Sequence, residues 1–292
     1  MSSSNNPDVY FIPEPSKWPV VGTIALVTTV IGAVTSIHAN EINMILPVGF
    51  LMIAYLFFGW FRDVINESLA DNYNPQVDKS FRIGMLWFIF SEVMFFAAFF
   101  GALFYARTIA MEWLGGASNN ASTHALLWPG FEAVWPMVAN PDNVKFPAPE
   151  HVMSAGGLPA INTALLLTSS VTVTFAHHAL RAGHRGALKL WMFATIALAL
   201  SFLFFQVEEY HEAYTEMGLT LSSGIYGSTF FMLTGFHGFH VAMGTTMLTI
   251  MTIRIMKGHF NADHHFAFEA VAWYWHFVDV VWLGLYIFVY WL

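Results

Sequence analysis

Seven stretches of this chain run for about twenty residues or more with few charges: 19–38, 42–61, 81–108, 158–180, 187–207, 224–256 and 267–291. A helix needs about 20 apolar residues to cross a hydrocarbon core ~30 Å thick. Inside lipid the backbone has no polar partner but itself, so each stretch is expected to be an α-helix. The predicted class is therefore an all-α membrane protein with seven transmembrane helices. Composition agrees: 57% of the 292 residues are hydrophobic and 10% are charged, against roughly 25% charged in soluble domains. A net charge of −8 argues against a nucleic-acid partner. The absence of cysteine rules out disulfides, thiolate nucleophiles and thiolate metal sites. The opening segment "MSSSNNPDVYFIPEPSKWP" is polar and proline-bearing, without a basic run leading into an apolar one, so no signal or transit peptide is expected.

The spans divide unevenly. Residues 1–61 hold an N-terminal tail and a two-helix hairpin closed by a few residues around "HANE". A polar connector follows at 62–80, and 81–292 forms a five-helix bundle with a long external loop at about 109–157, rich in Gly, Pro, Asn and Trp. Lysine and arginine give the orientation. Lys17, Arg62, Lys79, Arg82, Arg181, Arg185, Lys189, Arg254 and Lys257 fall on the N-terminal side of the membrane, and only Arg107 and Lys145 fall on the other. The positive-inside rule then places the N-terminus in the cytoplasm, and an odd number of spans places the C-terminus and the external loop opposite.

Ionisable groups inside a membrane are costly, so they face the bundle interior and find partners. Span three carries Glu92, span four His177 and His178, span six His237 and His240, and span seven His276 and Asp279. Span five ends in "FFQVEEYHEAY", assigned to the outer surface. At a rise of about 1.5 Å per residue from the cytoplasmic ends, Glu92 lies about 15 Å deep, His276 about 12 Å, Asp279 about 16 Å and His240 about 21 Å. Glu92, His240, His276 and Asp279 are thus candidates for one buried polar cluster. His276 and Asp279 share a helix face at i, i+3.

Thirteen histidines raise the question of metal. "GFHGFH" can turn both its histidines to one face, but no carboxylate or third ligand stands at helical spacing beside them, so structural hydrogen bonds are the favoured reading. His264 and His265 are expected at the interface. The glycines of "GSTFFMLTGFHGFHVAMG" are expected to let helices approach closely. Glu92 divides evenly between structural partner and functional group.

Several strings, in order along the chain, resemble subunit III of the haem-copper cytochrome c oxidases. They are "SKWP" (16–19), "WFRDVINES" (60–68), "FIFSEVMFF" (88–96), "AHHAL" (176–180), "YGSTFF" (226–231), "GFHGFHV" (235–241), "HHFAFEAVAWYWHF" (264–277) and "WHFVDVVW" (275–282). The 109–157 segment is longer than in mitochondrial members and is similar to proteobacterial ones. The resemblance implies seven transmembrane helices, the first two separated from the last five by a V-shaped cleft filled with phospholipid. It implies lipid-headgroup contacts at Trp60, Arg62 and Arg254, with Glu67 and Arg82 as nearby candidates; a guanidinium suits a phosphate as a bidentate partner. Glu92 matches the family's buried, carbodiimide-reactive carboxylate in the third helix. No catalytic residue, haem or metal is implied in this chain. Haem and copper belong to the partner subunits I and II, small subunits can join them, and cytochrome c contacts the complex rather than this chain. The implied role is a non-catalytic accessory subunit that stabilises the catalytic subunit, supports proton uptake and holds lipids along a path for oxygen, in a bacterial inner membrane. The alternatives are the equivalent subunit of a quinol oxidase, a multi-pass transporter and a haem-bearing subunit. The last two lack, respectively, inverted repeats and paired axial histidines.

Overall fold

Local signals in the chain fix where each helix begins and ends. A computed structural model describes residues 15–70 and 72–292; most of the polar segment judged to carry no targeting peptide lies outside them. Helix α1 (Trp18–Ala39) opens with a proline in its first turn, where a missing N–H costs nothing, and closes on Asn40 in the left-handed conformation. The Asn43 side-chain oxygen then accepts from the amides of Ile45 (3.0 Å) and Leu46 (3.3 Å) and satisfies the first donors of α2 (Ile45–Leu69). The hairpin packs tightly enough to require glycine: a Cβ on Gly49 would lie 2.6 Å from the Thr29 Cα.

Helix α3 (Pro75–Tyr105) continues through a π-helical turn (Ala106–Ala110) into α4 (Met111–Leu114). A short α5 (Ala121–Leu127) lies in the long loop. Then come α6 (Leu158–Arg181), α7 (Arg185–Thr215), α8 (Ile225–Met256) and α9 (Phe266–Leu285), the last extended by a π-helical turn to Trp291. Among the described residues seven helices are long and apolar enough to span a membrane, as expected. Helix continues past several of the predicted boundaries. The polar 62–79 segment is helical at both ends, because α2 runs to Leu69 and α3 starts at Pro75. "FFQVEEYHEAY" is helical throughout, inside α7.

The described residues form two compact units, one ending at Ile83 and the other beginning at Gly84. In the first, α1 packs on α2. In the second, α6 packs on α7, α7 on α8, and α8 and α6 on α9. The core of the second unit is aromatic: Trp275, Trp282, Phe202, Phe230 and Phe268 are its largest fully buried side chains. The two fully buried indoles of this core find partners, Trp275 Nε1 donating to Ser169 and Trp282 Nε1 to Thr163, both at 2.9 Å. Of the four glycines singled out in α8, Gly244 carries a helix contact, since a Cβ there would lie 2.8 Å from the Trp275 ring; Gly235 and Gly238 have ordinary room. The long loop is tied down by Asn140, whose amide donates to the carbonyls of Phe146 and Ser223, and by Tyr286, which donates to the Ala155 carbonyl.

Candidate functional site

In the second unit Glu92 and His240 meet. Glu92 Oε2 lies 2.8 Å from His240 Nε2, across 148 residues of sequence. His240 is buried and Glu92 partly so. The other ring nitrogen of His240, Nδ1, lies 2.6 Å from the Phe236 carbonyl oxygen. A carbonyl only accepts, so Nδ1 carries a proton. The Nε2–Oε2 contact then needs a proton of its own, held on either atom. The pair is therefore a carboxylic acid with a neutral imidazole or a carboxylate with an imidazolium, and its net charge is zero in both forms. Rings enclose it: Phe96 stands 4.9 Å and Phe95 5.8 Å from the His240 ring, and Tyr274 stacks on it at 6.4 Å.

His276 and Asp279, the other two members of the expected cluster, turn to α6 instead. His276 Nε2 lies 3.4 Å from Thr174 Oγ1. Asp279 has Ser170 and His276 as its polar neighbours, and its Oδ1 is buried with no hydrogen-bond partner among the described residues. His237 is wholly buried, and its Nε2 donates to the Val278 carbonyl at 3.1 Å.

Glu209 was assigned to the outer surface and is instead completely buried, with Oε1 accepting from the Tyr290 hydroxyl at 2.5 Å. The signal was available. Phe202, Gln206, Glu209 and Ala213 recur at helical spacing, and all four are buried, whereas Glu208 and His211 point outward.

The expected lipid-contact residues divide between the units. In the first, an open cavity of about 880 Å³ is lined by Trp60, Glu67, Lys17, Trp18, Asp63 and Tyr73 among others. Its lining includes Gly22, Leu56 and Val77, and several of its polar groups bond to one another. Trp18 Nε1 donates to Asp63 at 2.8 Å, Tyr73 donates to Glu67 at 2.7 Å, and the Lys17 ammonium sits 5.0 Å above the Trp18 ring. Burial together with the neighbouring Glu67 pushes the Tyr73 phenol up from its ordinary value. Arg62 is exposed and does not line the cavity. Arg82 pairs with Asp78 at 2.8 Å. In the second unit Arg254 is buried, its guanidinium lying 4.4 Å from the Phe260 ring centre.

Comparison with known proteins agrees with the family resemblance of the sequence. The family model described as "Cytochrome c oxidase subunit III" matches residues 8–126 and 124–292. The proteins named "Cytochrome c oxidase subunit 3" of Hippopotamus amphibius and Dugong dugon are 41% and 40% identical to it over 283 residues. Each alignment covers 97% of this chain and 96% of the relative. That of Tragelaphus oryx is 39% identical over the same share. The chain is a member of the cytochrome c oxidase subunit III family, a multi-pass membrane subunit of a haem-copper oxidase complex.

Proposed function

We propose that this chain is a non-catalytic accessory subunit that packs against the catalytic subunit of its oxidase, supports proton uptake, and holds phospholipid along a hydrophobic route for oxygen. It would carry no redox centre, and haem and copper would reside in subunits I and II. A bacterial inner membrane, with the N-terminus in the cytoplasm, fits the distribution of lysine and arginine.

The observation that carries the lipid part is the cavity in the first unit. Its apolar lining residues suit an acyl chain. The same lining offers an ammonium at Lys17 and carboxylates at Asp63 and Glu67, opposite charges that complement a zwitterionic headgroup. Beyond the cavity, Arg62 beside Asp63 on α2 carries an exposed guanidinium suited to phosphate, and Arg254 on α8 carries another in the second unit. The Glu92–His240 pair supports the accessory part of the reading. Both partners are spent on each other and on a backbone carbonyl, so neither imidazole nitrogen of His240 is left to ligate a haem iron or copper.

The test is a Lys17→Gln, Trp60→Ala double replacement, at two residues that line the cavity, in the purified oxidase complex, with bound phospholipid measured by mass spectrometry and turnover followed to inactivation. Fewer lipids per complex and a shorter active lifetime are expected. Retained lipid with a normal lifetime would overturn the lipid mechanism, and stoichiometric iron or copper in the isolated chain would overturn the accessory role.

A further inference from the structure

Where α7 ends and α6 begins, the second unit buries more polar atoms than it pairs. Asn162 on α6, Gln206 and Glu209 on α7 and His237 on α8 are none of them more than 5% exposed. Among the described residues both amide atoms of Asn162 and of Gln206, Glu209 Oε2 and His237 Nδ1 have no hydrogen-bond partner. These groups share one level. Helices α6 and α7 run antiparallel with Thr172 against Thr195, and counting back from the first and on from the second puts Asn162 level with Phe205 and Gln206. On α8, a Cβ at Gly238 would lie 3.9 Å from Gln206 Cγ, so Gln206 faces the turn that carries His237. Thr163, beside Asn162, accepts from Trp282, whose ring stands 5.9 Å from Tyr290, the donor to Glu209. The set is rich in electrons. His237 Nε2 donates to Val278, so the Nδ1 of the neutral ring carries a lone pair. With Glu209 Oε2 and the two amide oxygens it makes four acceptor atoms. The Tyr290 hydroxyl stands 2.5 Å from Glu209, the length of a charge-assisted bond to a carboxylate. Among the described residues no basic side chain pairs with Glu209, and the charge that acts on it is a second acid, Glu212.

We propose that Asn162, Gln206 and Glu209 form a binding site for a monovalent metal cation of the sodium class, with His237 Nδ1 accepting from the ion's bound water. An isolated buried carboxylate takes up a proton or gains a counter-charge. A proton on Oε2 would add one more donor without an acceptor among the described residues, whereas a cation uses Oε2 and the amide oxygens together. Carboxylate and amide oxygens are hard ligands, suited to hard cations rather than to zinc-like ions. Charge then decides between hard cations. One fully buried carboxylate balances a single positive charge, and a divalent ion would leave an excess charge out of water. Glu212 is only partly buried, so it attracts the ion without requiring a second charge. Glu209 stands about 9 Å of helix rise before Thr215, the last residue of α7, so the ion enters from water beyond that end. The sequence hides such a site because its oxygen ligands come from two helices and its water acceptor from a third.

The test uses the intact oxidase complex containing this chain, exchanged from choline salts into thallium(I), a heavy monovalent probe. Anomalous diffraction should place one ion within bonding distance of Glu209 Oε2 and of the Gln206 and Asn162 amides, and excess sodium should displace it. Glu209→Gln, which keeps the shape and removes the charge, should abolish the peak. Gln206→Leu should weaken uptake about ten-fold, the loss of one contact to a charged group. Glu208→Gln, on the exposed neighbour, should leave it unchanged. The absence of a peak here in the unsubstituted complex under excess thallium(I) overturns the proposal without reliance on any variant, whatever water the site holds. A peak that excess sodium leaves in place, or one of full strength in the folded Glu209→Gln complex, also overturns it.

Discussion

Replacing Glu92 with leucine removes the carboxyl from His240 and leaves the rest of the imidazole's environment in place. Its Nδ1 proton remains on the Phe236 carbonyl, so the neutral ring presents a bare Nε2 lone pair to a pocket walled by Phe95, Phe96 and Tyr274. An orphaned buried polar atom costs about 1–3 kcal/mol. Interhelical hydrogen bonds in membranes average about 0.6 kcal/mol, with a maximum near 1.7. Because one proton is shared between an acid and a base, this bond belongs at the strong end, and about 1.5 kcal/mol is expected for the coupling between the two side chains. Glu92→Gln behaves differently. Its amide donates to the same Nε2, restoring a neutral hydrogen bond about half as strong. The loss in E92Q should therefore be roughly half that in E92L.

The assay is reversible denaturant titration in mixed micelles, read by tryptophan fluorescence, for wild type, E92L, E92Q, H240F and the E92L/H240F double variant. The double-mutant cycle isolates the pair from the other contacts each residue makes. A coupling energy near zero, or equal losses in E92L and E92Q, would refute the argument that a shared proton joins the two helices.

Four further outcomes follow from the geometry. Gly244→Val drives a branched side chain into the Trp275 ring, which already stands 2.8 Å from where a Cβ would lie; a loss of about 1–3 kcal/mol is expected. Gly235→Ala, with only the Tyr210 hydroxyl 3.4 Å away, should be neutral or slightly stabilising in the same titration. Tyr290→Phe strips Glu209 of its hydroxyl partner, and the other carboxyl oxygen already has none among the described residues; destabilisation by about 1–3 kcal/mol is expected, well above that of Tyr286→Phe. For Tyr73 the phenol is raised in the folded state, first by burial and then by Glu67. Its contribution to stability is fully present below the ordinary tyrosine value of about 10 and is lost as pH rises through the higher folded value. Tyrosinate absorbance should therefore show one phenol titrating late, and Glu67→Gln should bring it back part of the way, since burial remains.

Hydrophobicity marks where lipid is and says nothing of where a helix stops. All seven spans were legible for that reason, and the ends of α2, α3 and α7 were not. Residues such as Asp63, Glu67 and Glu212 keep their helical hydrogen bonds beyond the apolar stretch. Depth was equally legible. Glu92 and His240, placed in one layer with His276 and Asp279 by counting residues, do meet. Azimuth was not. At about 100° per residue, His276 points some 200° away from Tyr274, which together with Phe277 faces α3. His276 must then look toward α6, and equal depth was insufficient to join it to Glu92. Glu209 was missed because charge in "VEEYHE" dominated the reading, although its spacing from Phe202 and Gln206 sets it apart from its neighbours.

The placement of α3 follows from the same physics. Helices α6 to α9 are cross-linked by several polar contacts: Thr172 with Thr195, Tyr210 with Thr234, Trp275 with Ser169, and His237 with the Val278 carbonyl. The transmembrane part of α3 meets them mainly through rings, with Phe88 on Tyr274, Phe95 and Phe99 on Phe236, and Phe96 on Phe277. In a bilayer such rings gain nothing from leaving lipid, which is as apolar as they are. Their contacts favour proximity but discriminate poorly between one rotation of α3 and the next, since phenylalanine follows phenylalanine around the helix. A single short bond from Glu92 to His240 does discriminate, because rotating α3 by one residue, about 100°, would strand both groups among aromatic carbons. The ionisable pair in mid-membrane thus acts as a rotational key for α3. Its loss should loosen the register of that helix more than its adhesion, so that in E92L the aromatic contacts persist while the ring pairings among Phe88, Phe95 and Phe96 become heterogeneous.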